Sequence, residues 1–217
     1  MDEQTAAAKK TILRTIPYGL YVLGVNHAGE DSAACINWVT QTSFEPPLIV
    51  MGVKKDSGAY ALLKKSGKFA LSFLESGQKD LAFAFFKPTT VEGNHINGHE
   101  FERGAISSAP VLSSTPAFIE GTYVGAVDMG DHSCVVGQVA DAVLKRDYQI
   151  LTLKECGVNY GGAQLEGIFQ AIGRHFPAFG QTGHYVGRAF FKLDKPVEDR
   201  LGRRIEGRAG CVGCRLK

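Results

Sequence analysis

The chain has 217 residues, of which 44% are hydrophobic and 21% charged, the balance of an ordinary globular domain with enough length to bury a core. Its net charge is only +2, which excludes the strongly basic face of a nucleic-acid binder; six of the basic side chains, with three acidic ones, crowd into residues 198–217. No apolar run approaches the roughly 18 residues that span a bilayer, so no membrane association is expected.

The start, Met1-Asp2-Glu3-Gln4, lacks the basic and apolar regions of a secretory leader. The five cysteines are odd in number and scattered apart from the last two, unlike a disulfide framework. A reducing, cytoplasmic setting is expected.

In chain order, Gln4–Ile16 is Ala- and Lys-rich and stops before Pro17, which predicts a short helix. Strands are predicted at Tyr18–Asn26 and Ser32–Thr40, around the turn cluster 26–31. Pro46-Pro47 then breaks the chain before Leu48–Val53, an apolar run suited to a buried strand. A helix is predicted from Asp56 to Gly67, capped by Asp56 or Ser57 and ended by the glycine. Lys68–Leu74 reads as a strand and Gln78–Phe86 as a second short helix. Lys87–Ser114, rich in Gly, Asn, Ser and His, reads mostly as loop. Strands return at Ala117–Asp128, His132–Arg146 and Tyr185–Leu193. Many short strands with few helices predict a mainly β fold, a barrel with helical trimmings rather than a doubly wound α/β sheet. Two regions are expected, a domain over 1–193 and a basic flexible tail over 194–217.

The densest polar constellation is Asn37-Trp38-Val39-Thr40-Gln41-Thr42-Ser43, followed by Phe44-Glu45-Pro46-Pro47, the strand 48–53, and Lys54-Lys55-Asp56-Ser57-Gly58-Ala59-Tyr60. A strand that ends in small hydroxyl and amide side chains offers backbone donors and acceptors to the edge of a flat heteroaromatic ring. One strand later, lysines and a hydroxyl stand where a helix begins, a setting that favours phosphate. The pair suits a mononucleotide such as FMN. An ordinary polar turn followed by a surface helix fits the same residues.

The order and spacing of these segments resemble the flavin reductase-like family of FMN-binding split barrels, which includes flavoredoxin-like proteins. The Asn37–Pro47 stretch carries the likeness first. Ser66-Gly67-Lys68-Phe69 to Leu74, Asp128-Met129-Gly130-Asp131-His132 to Val139, and Tyr160-Gly161-Gly162 continue it in register. The resemblance implies an antiparallel split β-barrel with a few short helices, homodimeric, with FMN near the subunit interface. It implies that Asn37, Trp38, Val39, Thr40, Gln41, Thr42 and Ser43 line the flavin ring. Lys54 or its neighbour Lys55, with Ser57 and Tyr60, would hold the phosphate, and Lys87 would add a second contact. His132 is the expected catalytic residue, beside the nicotinamide of NADH or NADPH. The implied activity is NAD(P)H-dependent reduction of FMN. The alternatives are a flavoredoxin-like carrier that passes electrons to a redox protein, and a non-catalytic flavin-binding module.

Three signals stand outside this set. His95 and His99 would share one face of a helix, but Asn and Gly dominate the segment and predict a loop. Cys211-Val212-Gly213-Cys214 is half of a four-thiolate site or a redox dithiol, and no second such pair completes it. No metal site is therefore expected. Phe83, Phe85 and Phe86 read as core and dimer interface.

Overall fold

The structure is a computed structural model in which residues 2–158 are described. Its elements run α1 (Glu3–Leu13), β1 (Tyr21–His27), β2 (Glu30–Ile36), β3 (Val39–Ser43), β4 (Leu48–Lys54), α2 (Gly58–Ser66), β5 (Lys68–Phe73), α3 (Lys79–Ala84), β6 (Val91–Glu92), β7 (His95–Ile96), β8 (His99–Arg103), β9 (Pro110–Leu112), β10 (Ala117–Asp128) and β11 (His132–Leu144). Seven strands form one antiparallel sheet in the order β2-β1-β5-β10-β11-β4-β3. β2 and β3 stand at opposite ends of that order yet are separated only by Asn37 and Trp38. A two-residue connection between the two edges forces the sheet to roll up, and α2 lies where it rolls, against β1, β2, β4 and β5. This is the expected split barrel.

Strand alternation fills the interior. Leu23, Val25, Met51, Val53, Phe69, Leu71 and Val135 point inward and are essentially inaccessible. Apolar burial of this kind contributes about 1.5–3 kcal/mol per large side chain. Phe69 fits because Gly121 and Gly137 leave it room; a Cβ at Gly137 would come within 2.7 Å of its ring. One carboxylate is also buried. Glu120 accepts from the Ser107 amide at 2.8 Å and its hydroxyl at 2.6 Å, and from the Ile106 amide, which pins the 104–109 loop to the wall.

Two expectations need correction. The predicted strand Ser32–Thr40 is two strands, because the chain leaves β1 and joins β4 at Asn37-Trp38. The predicted loop at 87–114 contains a second sheet, β6-β7-β8-β9. Its first two strands have two residues each, too short to show a period, and its turns use positive φ at Gly93, Asn97 and Gly98. The N-terminal helix forms as expected, capped by the Asp2 carboxylate on the Thr5 amide at 2.8 Å, but buries none of its residues. Among the described residues no helix is long and apolar enough to cross a membrane. Tyr160-Gly161-Gly162, the strand Tyr185–Leu193, the 194–217 tail and its Cys211/Cys214 pair lie outside the described residues.

Candidate functional site

The outer face of β4 and β11 carries Lys54 and His132. His132 opens β11 directly across from Lys54 at the end of β4. The ring of Trp38 meets the His132 imidazole edge-on, with centroids 4.6 Å apart. Trp38 can lie there because its neighbour on β4 is Gly52, whose amide donates to the Trp38 carbonyl at 2.8 Å. A Cβ at Gly52 would stand 2.6 Å from the Trp38 ring. On the other side, the Asp131 carboxylate lies 3.0 Å from His132 Nδ1. The two are out of line for a hydrogen bond, so Nδ1 is buried without an aligned partner; the imidazole still holds the Asp131 carboxyl below its usual range. His132 is thus walled on two sides.

At the start of α2, Ser57 is the N-cap. Its hydroxyl accepts from the Tyr60 amide at 3.2 Å and donates to the Lys54 carbonyl at 2.7 Å. Both bonds are internal, so what this turn offers a ligand is the first-turn amides of Gly58 and Ala59, which a helix start leaves without intrahelical partners. Lys54 pairs with Asp56 at 3.0 Å, while Lys55 is exposed. Ser32 on β2 faces the same turn: a Cβ at Gly58 would lie 3.2 Å from its hydroxyl oxygen. Thr89 stands 3.4 Å from Ser32 and bonds Ala33 through both its donor and its acceptor, which ties the segment that follows the half-buried Lys87 to β2.

A family model for a flavin reductase like domain matches residues 13–161. The chain belongs to the flavin reductase-like family. Across 138 residues it is 28% identical to a ferric-chelate reductase (NAD(P)H) of Archaeoglobus fulgidus, covering 63% of this chain and 82% of that protein. Of four other curated relatives, the match covers only 21% to 40% of their length. Among solved structures, it is similar to an NADH:FAD oxidoreductase of Streptomyces globisporus in complex with NAD and FAD fragments, at 25% identity and TM-score 0.55, over 65% of this chain and 82% of that one. It is also similar to an FMN-binding protein of Thermus thermophilus, at 25% identity and TM-score 0.53, over 60% of this chain and 72% of that one.

The residues of this flavin reductase-like domain fit a flavin on the outer face. Among the described residues β3 is an edge strand, and half its backbone N–H and C=O groups point away from β4. Beside it, the Asn37 side-chain nitrogen is buried with no hydrogen-bond partner among the described residues, an unmet donor that a ring acceptor would satisfy. Of the expected ring residues, Thr40, Gln41 and Thr42 are exposed, and Gln41 donates to the Ser43 carbonyl at 3.1 Å. Val39 turns inward, opposite Met51, and packs against the core, so only its backbone faces outward. Val39, Thr40 and Gln41 also rim a cavity of about 370 Å³ that reaches inward to Tyr21, Phe73 and Ile119.

Tyr60 departs from its expected role. Its ring is core, 2% exposed, and its phenol donates to Asp128 at 2.6 Å rather than facing a phosphate. That bond raises the Tyr60 pKa above its ordinary value. His95 and His99 sit on adjacent strands of a hairpin instead of a helix face, and the described residues hold no cluster able to bind a metal. The sequence assigned no role to Gly52, Ser32, Thr89, Asp128 or Asp131, although Asp128 and Asp131 lie in the stretch to Val139 that carries the family likeness. Only Asp131, next to His132, carried a local signal.

Proposed function

We propose that this chain is an NAD(P)H-dependent flavin reductase that holds FMN across the edge of β3 and the start of α2. The flavin, when bound, supplies the hydride acceptor and the redox chemistry. The chain supplies position and charge. Asn37 and the outward amides of 37–43 would meet the polar rim of the ring. Lys54 and the first-turn amides of α2, with Ser32 nearby, would meet the phosphate. His132, held between Trp38 and Asp131, would offer an N–H to the negative charge that hydride delivery leaves behind, beside the nicotinamide of NADH or NADPH. The observation that carries this reading is the pairing of His132 with Lys54 across one strand step, with Trp38 laid against the His132 imidazole through the gap at Gly52.

A homodimer with the flavin near its interface is part of the proposal. Phe44 and Met129 support it, being 89% and 87% exposed on loops that flank the site. The free thiols Cys35, Cys134 and Cys156 support a reducing, cytoplasmic setting.

Anaerobic stopped-flow mixing of the FMN-loaded protein with NADH and with NADPH tests the activity. Rapid bleaching by either nucleotide supports the reductase. Flavin retained through desalting and bleached by neither nucleotide overturns it in favour of a carrier or a binding module.

A further inference from the structure

Two hydrogen bonds tie α2 and the turn that leads into it to the turn between β10 and β11. The Tyr60 phenol, in the first turn of α2, donates to Asp128 Oδ1 at 2.6 Å, and the Lys55 amide donates to the Asp131 carbonyl at 3.1 Å. Asp128 is the last residue of β10 and His132 the first of β11, with the exposed Met129, Gly130 and Asp131 between them. The turn that aims His132 is therefore steadied from the helix that would grip the phosphate.

The brace is stiff. Its Tyr60 end is a ring sealed in the core beneath Lys64, whose ammonium sits 4.3 Å from the ring centroid. Its Asp128 end remains ionised, because the Ser133 and Tyr60 hydroxyls, helped by Lys64 and Lys55, hold the carboxyl below its usual range. A bond to a charged acceptor is roughly twice as strong as a neutral one. The phenol cannot follow a displaced Asp128 without emptying core volume, so movement of the α2 first turn is passed to the β10–β11 turn.

We propose that Tyr60 and Asp128 are positioning residues that couple phosphate binding at the start of α2 to the placement of His132, so that the phosphate of FMN raises the rate of hydride delivery as well as affinity. This rests on the reading of α2 as the phosphate site and His132 as the catalytic residue. Riboflavin, which has the same ring and no phosphate, isolates the effect.

The test measures affinity by fluorescence quenching, and single-turnover reduction by whichever of NADH or NADPH reduces the wild type, for FMN and riboflavin on each protein. Wild type should reduce bound FMN about tenfold faster than bound riboflavin, the scale of a modest loss of alignment. Tyr60→Phe keeps the ring and deletes the donor; Asp128→Ala deletes the acceptor. Each should bring the FMN rate down to the riboflavin rate while leaving riboflavin reduction within about twofold, and the double variant should be no slower than either. Asp128→Asn keeps an oxygen acceptor and should retain most of the FMN advantage. Asp128 is exposed, so its variants give the answer even where Tyr60→Phe folds poorly. Equal rates for the two flavins on wild type, an FMN advantage that survives both variants, or a parallel slowing of both flavins would each overturn the coupling. Equal affinities of wild type for FMN and riboflavin would remove the phosphate site itself, and the coupling with it. Tighter FMN binding with an undiminished rate advantage in Tyr60→Phe removes the coupling alone.

Discussion

The two faces of β4 and β11 answer to different rules. Inward, Ile49, Met51, Val53 and Val135 are chosen for volume, and a glycine at 137 gives way to the Phe69 ring. Outward, Lys54 and His132 are chosen for charge and hydrogen bonding, and a glycine at 52 gives way to Trp38. The same device, a missing side chain under an aromatic ring, serves packing on one face and placement of His132, the proposed catalytic group, on the other. Damage to the inner face should therefore appear as lost stability and damage to the outer face as lost rate.

The largest effect tests the inner face. Phe69→Ala should cost about 3–5 kcal/mol in a urea melt, the usual range for a fully buried phenylalanine, with the flavin-reduction rate per folded molecule unchanged. His132→Ala should do the opposite. Flavin reduction should slow about 100-fold, about 2.7 kcal/mol in the barrier, while FMN affinity and the melting curve stay near wild type. Reduction by this variant at the wild-type rate would remove His132 from the mechanism. The two glycines sharpen the contrast: Gly137→Ala should destabilise by about 1–3 kcal/mol through overpacking against Phe69. Gly52→Ala, by pushing Trp38 off the imidazole, should instead slow reduction about tenfold and lower the melting temperature little. Equal melting losses for the two would erase the distinction.

Smaller effects belong to the phosphate end and to pH. Lys54→Ala should weaken FMN about tenfold, the scale of one charge-assisted hydrogen bond, and leave riboflavin unchanged. Equal losses for both ligands would place the phosphate elsewhere. The Tyr60–Asp128 bond should be indifferent to pH from about 5 to 9. The depressed Asp128 pKa means its contribution is present above the ordinary carboxylate range and is lost only as pH falls through the lowered value. The raised Tyr60 pKa means its contribution is present below the ordinary phenol value and is lost only as pH rises through the raised one. A ratio of FMN to riboflavin reduction rates that changes inside that window would contradict the assignment.

Much of the barrel was legible in the sequence. Leu48–Val53, Lys68–Leu74 and Ala117–Asp128 carry the apolar content of buried strands, and Gly67, with φ 69°, ends α2 where a helix-stopping glycine was read. The break at Asn37-Trp38 was not legible, because strand-forming residues run through it and nothing local says that the chain changes sheet edge there. Tyr60 misled for a related reason. On an amphipathic helix next to Ser57 its hydroxyl looks available, and only the fold shows that Asp128, far along the chain, takes it. The contact of Trp38 with His132 likewise depends on how β3 and β11 flank β4, which no spacing in the sequence encodes.

The open edge of β3 carries a hazard as well as a use. Backbone groups proposed to meet a flavin would also invite a stray strand from another molecule, the usual first step of aggregation. This edge is short and its side chains Thr40, Gln41 and Thr42 are polar; it kinks at the irregular register between Gln41 and Ser43 and runs out toward Pro46-Pro47, which cannot donate to a ladder. The β3 edge thus stays accessible to the small planar molecule proposed to bind there and poor as a template for fibrils.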